Sequence, residues 1–186
     1  MKSRRQVLRV VAGAAVLPVL PSSAASYSPK VLHADEMRLL SVLVDLIIPR
    51  TNTPGANDAG VPVWIDEALS ADVALRNRFR NGLDWLNADA RHQFRVPFTE
   101  LSEHDQASLL TPLAREAAEI ITELCFFDCA SKEPSNASDG VRFFILLKDM
   151  TIDAYYASRE GLVAELGYQG NTHLVRFEGC THREHQ

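Results

Sequence analysis

Apolar residues recur at three-and-four spacing through nearly all of this chain beyond its first 25 residues, and no segment sustains the period-two alternation that a half-buried strand needs. Helices bury such a pattern on one face. The spacing therefore predicts an all-α fold, a compact single-domain helical bundle with a long loop after its first helix and an extended C-terminal tail. Asp35 to Ile48 is the clearest segment: Leu39, Leu40, Leu43, Val44, Ile47 and Ile48 line one face, with Glu36, Arg38 and Asp45 off it. Pro49 ends that helix, because proline disfavours helical geometry in the preceding residue and donates no amide hydrogen.

The run from Arg50 to Pro62, rich in Pro, Gly, Asn and Asp, reads as an irregular loop. It is long for a structureless connection; loops of this length are often functional or partner-binding, with a disordered linker as the bland alternative. Pro62 suits a first helical turn, and Val63, Ile65, Ala68 and Leu69 give a short helix carrying Trp64. A third helix is expected over Ala71 to Ala90 through Leu75, Phe79, Leu83 and Leu86, with Gly82 permitting close packing at a modest cost. Phe94 to Leu101 is a loop containing Pro97. Ser102 then looks like an N-cap, with Glu103 and Asp105 in a first turn where the helix dipole favours negative charge.

Helix is expected from there to about Cys129 with a break or kink at Thr111-Pro112, followed by an exposed link from Lys132 to Gly140. Val141 to Tyr156 is the densest apolar element and is expected to be the central helix. With Arg142, Lys148, Asp149 and Asp153 inside about 16 residues, it is too short and too charged to span a membrane. A short helix after Gly161 reaches Leu166, and Gly167 to Gln186 forms the tail.

Residues 1–25 read as an address, leaving 26–186 as the domain. Arg4 and Arg5 follow Ser3 and precede Val7 and Leu8, the pattern read by the twin-arginine translocon, which carries folded proteins. Val7 stands where an aromatic is usual and Arg9 where lysine is usual, so a general secretory signal is the alternative, and an attached amphipathic helix is the structural one. The apolar stretch Val10 to Leu20 is about half the roughly 20 residues of a membrane span, and Pro18 and Pro21 interrupt it. Ser22 with Ala24, or Ser23 with Ala25, supplies the small side chains a signal peptidase needs, so cleavage is expected near Ala24 or Ala25. The expected location is the periplasm, with membrane association only through partner subunits.

Loss of Lys2, Arg4, Arg5 and Arg9 with the leader leaves 15 of the 19 basic residues against all 24 acids, a net charge of −9. Such a charge suits a basic partner surface and disfavours anionic lipid. Even the whole chain lacks the basic excess that phosphate backbones require, so no nucleic-acid binding is expected.

The chain has no Gly-x-Gly-x-x-Gly after a strand, no Cys-x-x-Cys-His, no P-loop, no Gly-x-Ser-x-Gly elbow and no His-Glu-x-x-His. A self-sufficient enzyme of a common class is not expected, and no catalytic, cofactor-binding or metal residue is assigned. Asp45, Asp66 and Glu67 are read as solvated helix-face charges. Cys125 and Cys129 fall one helical turn apart, as a strained disulfide or as two packed thiols. Cys180 is the odd cysteine, an intermolecular bridge or else a free thiol or a bridge within the chain. Cys180, His182 and His185, with His173 as a further donor, form the alternative reading of a periplasmic metal-binding tail, although no fourth ligand is fixed by the spacing.

Several stretches carry a family resemblance. They are Glu36-Met37-Arg38-Leu39-Leu40, Leu46-Ile47-Ile48-Pro49-Arg50-Thr51, Thr53-Pro54-Gly55-Ala56, Ala59-Gly60-Val61-Pro62, Phe143-Phe144-x-Leu146-Leu147-Lys148-x-Met150-Thr151 with Tyr155-Tyr156, and Phe177-Glu178-Gly179-Cys180-Thr181-His182. From about Ala34 to His185 the chain resembles the gluconate 2-dehydrogenase subunit 3 family, with the middle from Ala71 to Ser131 matched by pattern more than identity. The resemblance implies a non-catalytic small subunit of an exported sugar or sugar-acid dehydrogenase. Its partners would be a glucose-methanol-choline type large subunit holding FAD, a cytochrome subunit holding haem c, and the twin-arginine translocon, which Arg4 and Arg5 engage on behalf of the flavoprotein. The partner-facing residues would be Pro49, Arg50, Thr51, Thr53, Pro54, Gly55, Gly60 and Pro62 in the loop and Phe177, Gly179 and His182 in the tail, with Cys180 as the candidate intersubunit bridge.

Overall fold

The computed structural model describes residues 27–127 and 137–170, the side chains of 122–127 excepted. The elements run α1 (Ala34–Ile47), α2 (Val61–Ala71), α3 (Val73–Phe94), a 3-10 turn (Phe98–Glu100), α4 (Glu103–Phe127), α5 (Asp139–Ala157) and a π-helical turn (Glu160–Glu165). The fold is all-α, and no strand occurs among the described residues. Nor is any helix among them long and apolar enough to cross a membrane.

The expected central helix is central. α5 packs against the other four helices and the π turn, and buries Phe143, Phe144, Leu147, Met150, Ala154 and Tyr155. Against it lie Leu39, Leu40, Leu43 and Val44 of α1, Ile65 and Leu69 of α2, and Phe79, Leu83 and Leu86 of α3, all in one core. Phe79 meets Phe143 edge-to-face with ring centroids 5.5 Å apart, a favourable arrangement of aromatic quadrupoles. Gly82 makes that approach possible: a Cβ there would lie 2.0 Å from Phe143 Cδ2. The 3-10 turn is fixed by the buried Phe98, whose amide donates to Asn87 Oδ1 at 3.2 Å and whose carbonyl accepts from Gln106 Nε2 at 3.2 Å.

Boundaries differ from the sequence reading where a side chain captures backbone. α3 starts at Val73 because the Asp72 carboxylate accepts from the amides of Ala74 at 2.8 Å and Leu75 at 3.0 Å, which assigns Ala71 to α2. It runs past Ala90 to Phe94 and closes on Arg95 in the left-handed region, φ 68°. α4 begins at the expected cap, Asp105 N donating to Ser102 Oγ at 3.2 Å. It continues through Pro112 without a break, since Pro112 and Ser108 are on the solvent face, where the carbonyl freed by proline meets water. Asp139 and Gly140 belong to α5 rather than to a link, with Ser138 as the cap.

Candidate functional site

The chain between α1 and α2 is a built loop. The amide of buried Ala56 donates to Ile48 O at 3.0 Å, and Val61 N donates to Ala56 O at 3.1 Å, closing the loop at its base. The Asp58 carboxylate accepts from Gly55 N at 2.9 Å and pairs with Arg50. Asn57 ties the loop to α1 through its amide to Asp45 Oδ1 at 3.2 Å and its side chain to Ser41 O at 2.9 Å. Asp45, read as a bare surface charge, thus has a holding role. Gly55 is the crowded point: a Cβ there would stand 2.7 Å from Arg50 N.

Of the proposed partner-facing residues, Pro49, Arg50 and Thr51 are exposed and Thr53 and Pro54 half-buried. Gly55 and Pro62 are buried and Gly60 is the residue before α2, so these three shape the loop. Arg4, Arg5, Phe177, Gly179, Cys180, His182, His185 and His173 lie outside the described residues, as does Cys129, while Cys125 falls within α4 with its side chain undescribed.

A tyrosine ties this loop to the end of the bundle. Tyr155 is fully buried, yet its hydroxyl reaches Pro54 O at 2.7 Å and Glu165 Oε2 at 2.6 Å. Tyr156 donates to Glu165 Oε1 at 2.8 Å, and the two rings meet edge-on at 5.2 Å. Burial first, then the hydrogen bond to Glu165 and its charge, pushes the Tyr155 pKa up to about 12. The same hydrogen bonds from Tyr155 and Tyr156 hold the Glu165 carboxyl below its ordinary value. Glu165 is supplied by a π-helical turn, a geometry that concentrates at functional positions. Beside it Val163, Leu166 and Tyr168 are exposed, three of the six large hydrophobics that face solvent among the described residues.

The most polar feature was missed by the sequence reading. Asp66 is not a solvated charge; it is fully buried, and it holds the strap of chain that precedes α1. Oδ2 accepts from Tyr27 OH at 2.7 Å and Lys30 N at 2.5 Å, while Oδ1 accepts from Val31 N at 3.2 Å and Leu32 N at 2.8 Å. Burial alone raises an aspartate pKa, but these four donors outweigh it and hold Asp66 below its ordinary value. Tyr27 is pushed up to about 12 by burial, by the hydrogen bond to Asp66 and by the charges of Asp66 and Glu67. Glu67 pairs with Lys30 at 3.0 Å, and Arg80 of α3 donates to Val31 O while pairing with Glu36 of α1 at 3.1 Å. The strap is therefore held by all of the first three helices. The signal for Asp66 was its position: with Val61, Pro62, Ile65 and Leu69 it falls on the buried stripe of α2.

Asp66, with four donors on its two oxygens, holds chain in place, and Glu165 joins the two tyrosine hydroxyls. A groove of about 660 Å³ between α3 and α5 mixes Arg78 and Arg142 with Asp84 and Asp139. No cluster of three metal-ligating side chains occurs among the described residues. A family model, gluconate 2-dehydrogenase subunit 3, matches residues 34–172. The chain belongs to the gluconate 2-dehydrogenase subunit 3 family. No curated protein and no solved structure matches it. The family match takes in the loop, α5 with both tyrosines, and the π turn, so the tied assembly lies inside the family domain, while the strap precedes residue 34.

Proposed function

We propose that this subunit 3 family member is the non-catalytic small subunit of a periplasmic, FAD-dependent sugar or sugar-acid dehydrogenase, and that it aids export, maturation and stability of the flavoprotein. The observation that carries the reading is the family match over residues 34–172, the family being named for a dehydrogenase subunit. FAD then belongs to a glucose-methanol-choline type large subunit and haem c to a cytochrome subunit. Arg4 and Arg5 serve as the twin-arginine signal for a partner that folds around its flavin before export. The exposed loop residues Pro49, Arg50 and Thr51, with Val163 and Leu166 of the π-turn region, are the proposed docking surface for the large subunit.

The test is co-purification and localisation. A tagged chain recovered from the periplasm should bring a yellow, FAD-containing partner, and the double substitution Arg4→Lys, Arg5→Lys should strand both chains in the cytoplasm. Normal periplasmic flavoprotein in that double variant defeats the carrier role. A lone colourless chain defeats the assembly.

A further inference from the structure

The groove between α3 and α5 is walled by one stripe from each helix. Asn81, Trp85 and Ala88 stand at three-and-four spacing along α3, and Asp139, Arg142 and Leu146 do so along α5. Its aromatic floor is fixed by a reciprocal contact in which each helix offers a glycine to the other's ring. A Cβ at Gly82 would lie 2.0 Å from Phe143 Cδ2, and one at Gly140 would lie 2.3 Å from Trp85 Cη2. Phe143 is backed by Phe79 and buried, while Trp85 is only half-buried and lines the groove. Polar side chains form the rim. Arg142 is oriented by donating Nε and Nη2 to Ala137 O at 2.9 and 2.6 Å, with Nη1 4.0 Å from Asp139. Among the described residues no side chain pairs with Asn81 or Asp84. At about 660 Å³ the groove falls within the roughly 300–1,000 Å³ that small-molecule sites occupy.

We infer that this groove binds a neutral pyranose sugar, stacked on Trp85 and held at its edge by the polar rim. The C–H groups on one face of a pyranose are apolar and slightly positive, so they pack on the electron-rich face of an indole. Its ring hydroxyls, each a donor and an acceptor, point outward from the edge. Two neighbouring hydroxyls match the paired oxygens of a carboxylate, the oxygen and NH2 of an amide, or the forked N–H groups of a guanidinium. Asn81 and Asp84 on one wall and Asp139 and Arg142 on the other supply all three kinds of partner. Two carboxylates and two guanidinium groups leave the rim without net charge, which suits an uncharged ligand. The floor is ordered before binding, so little is lost in arranging it, but an open rim of solvated groups keeps affinity in the millimolar range. The step is binding alone. It belongs to this chain by itself and does not depend on the flavoprotein assembly.

The experiment uses the full chain carrying Trp64→Phe, a change at an exposed position that leaves Trp85 as the sole tryptophan of the sequence. Methyl β-D-glucopyranoside is the probe, read by Trp85 emission and by saturation-transfer NMR of the sugar protons. A saturable blue shift with a millimolar midpoint is expected, with saturation strongest at the C–H protons of one ring face. Adding Asn81→Ala and Asp84→Ala, both at exposed positions, should leave the melting temperature unchanged and raise the midpoint at least about threefold, as loss of ordinary hydrogen bonds requires. No saturable response in either readout up to about 0.1 M sugar, from a chain that melts like the native one, overturns the proposal. So does an unchanged midpoint in the Asn81→Ala, Asp84→Ala chain, since the sugar then sits elsewhere. A tighter response to D-gluconate, an open-chain anion, than to the pyranoside overturns the assignment of a neutral ring. None of these readings involves the flavoprotein, so their failure leaves the proposed assembly standing.

Discussion

Replacing Asp66 by asparagine changes one atom and leaves the shape of the strap site intact. The two carboxylate oxygens each accept two donors, Tyr27 OH and Lys30 N on one, Val31 N and Leu32 N on the other. An amide offers one oxygen, so in either orientation its NH2 faces two donors. Hydrogen bonds to a charged group contribute about 1.5–3 kcal/mol each, and two are lost. Part of that is recovered because Tyr27, Lys30 and Val31 can turn to water, whereas Leu32 is buried. The expected net loss is about 2–4 kcal/mol, which for a domain of this size lowers Tm by roughly 5–15 °C. Thermal melts at pH 7, with hydrogen exchange read at the amides of residues 30–32, measure both consequences. The sign with pH is also fixed. The folded Asp66 pKa is depressed, so its contribution is present above the ordinary aspartate pKa and disappears as pH falls through the lower folded value. The gap between native and Asp66→Asn proteins should therefore close in acid. An Asp66→Asn protein that melts within about 1 °C of native at pH 7, or keeps the same deficit at every pH, refutes the reasoning.

Gly82→Ala gains about 1 kcal/mol of helix propensity but drives a Cβ to 2.0 Å from Phe143 Cδ2 and 2.8 Å from its Cβ, which ring rotation cannot clear. A net loss of about 1–3 kcal/mol in urea titration is expected, and because Phe143→Ala removes the Cγ and Cδ2 that clash, the two changes together should cost less than the sum of their separate losses; a more stable Gly82→Ala protein contradicts the packing account. Tyr155→Phe removes the hydroxyl shared by Pro54 and Glu165 and should cost about 1–2 kcal/mol and speed proteolysis within residues 49–58; unchanged proteolysis there means the loop does not depend on the tie. Tyr27 and Tyr155, each pushed from 10.0 up to about 12, hold their protons better folded than unfolded, so stability should be intact below pH 10 and fall between pH 10 and 12. Tyr27→Phe, Tyr155→Phe protein should show a flatter alkaline profile, and an identical slope removes that assignment. Arg95→Gly relieves a left-handed backbone at φ 68° and should raise stability by about 0.5–1 kcal/mol in the same titration; a loss shows that the Arg95 side chain contributes more than the strain costs.

The helices were legible because apolar spacing is a local signal: Leu39 to Val44 and Phe143 to Tyr155 mark their faces without reference to any partner. The cap at Ser102 and the close approach at Gly82 were legible for the same reason, each depending on a few neighbours in sequence. Asp66 was not read, because its donors come from residues 34–39 positions away in the chain, and charge on a helix is solvated more often than not. Its place on the buried stripe of α2 with Val61, Pro62, Ile65 and Leu69 is the one local signal it carries. Tyr155 was placed in the core by period, but its hydroxyl meets Pro54, 101 residues away, and nothing local marks such a pairing. The part of the site that depends on long-range polar contacts was therefore the part the sequence left unread.

Those long-range contacts bear on how the loop could bind a partner. Fixing one backbone residue costs about 1–2 kcal/mol, so ordering a loop of about ten residues during association would consume most of the free energy of a nanomolar complex. Here the ordering is done during folding, by Ala56, Asp58 and Asn57 within the loop and by Tyr155 from α5. A preorganised surface loses less on binding. If the proposed assembly holds, Tyr155→Phe, which alters no exposed loop side chain, should weaken recovery of the proposed flavoprotein partner, chiefly through faster dissociation. Partner recovery that is insensitive to Tyr155→Phe but abolished by Arg50→Ala would show that the loop's exposed chemistry matters and its prior ordering does not.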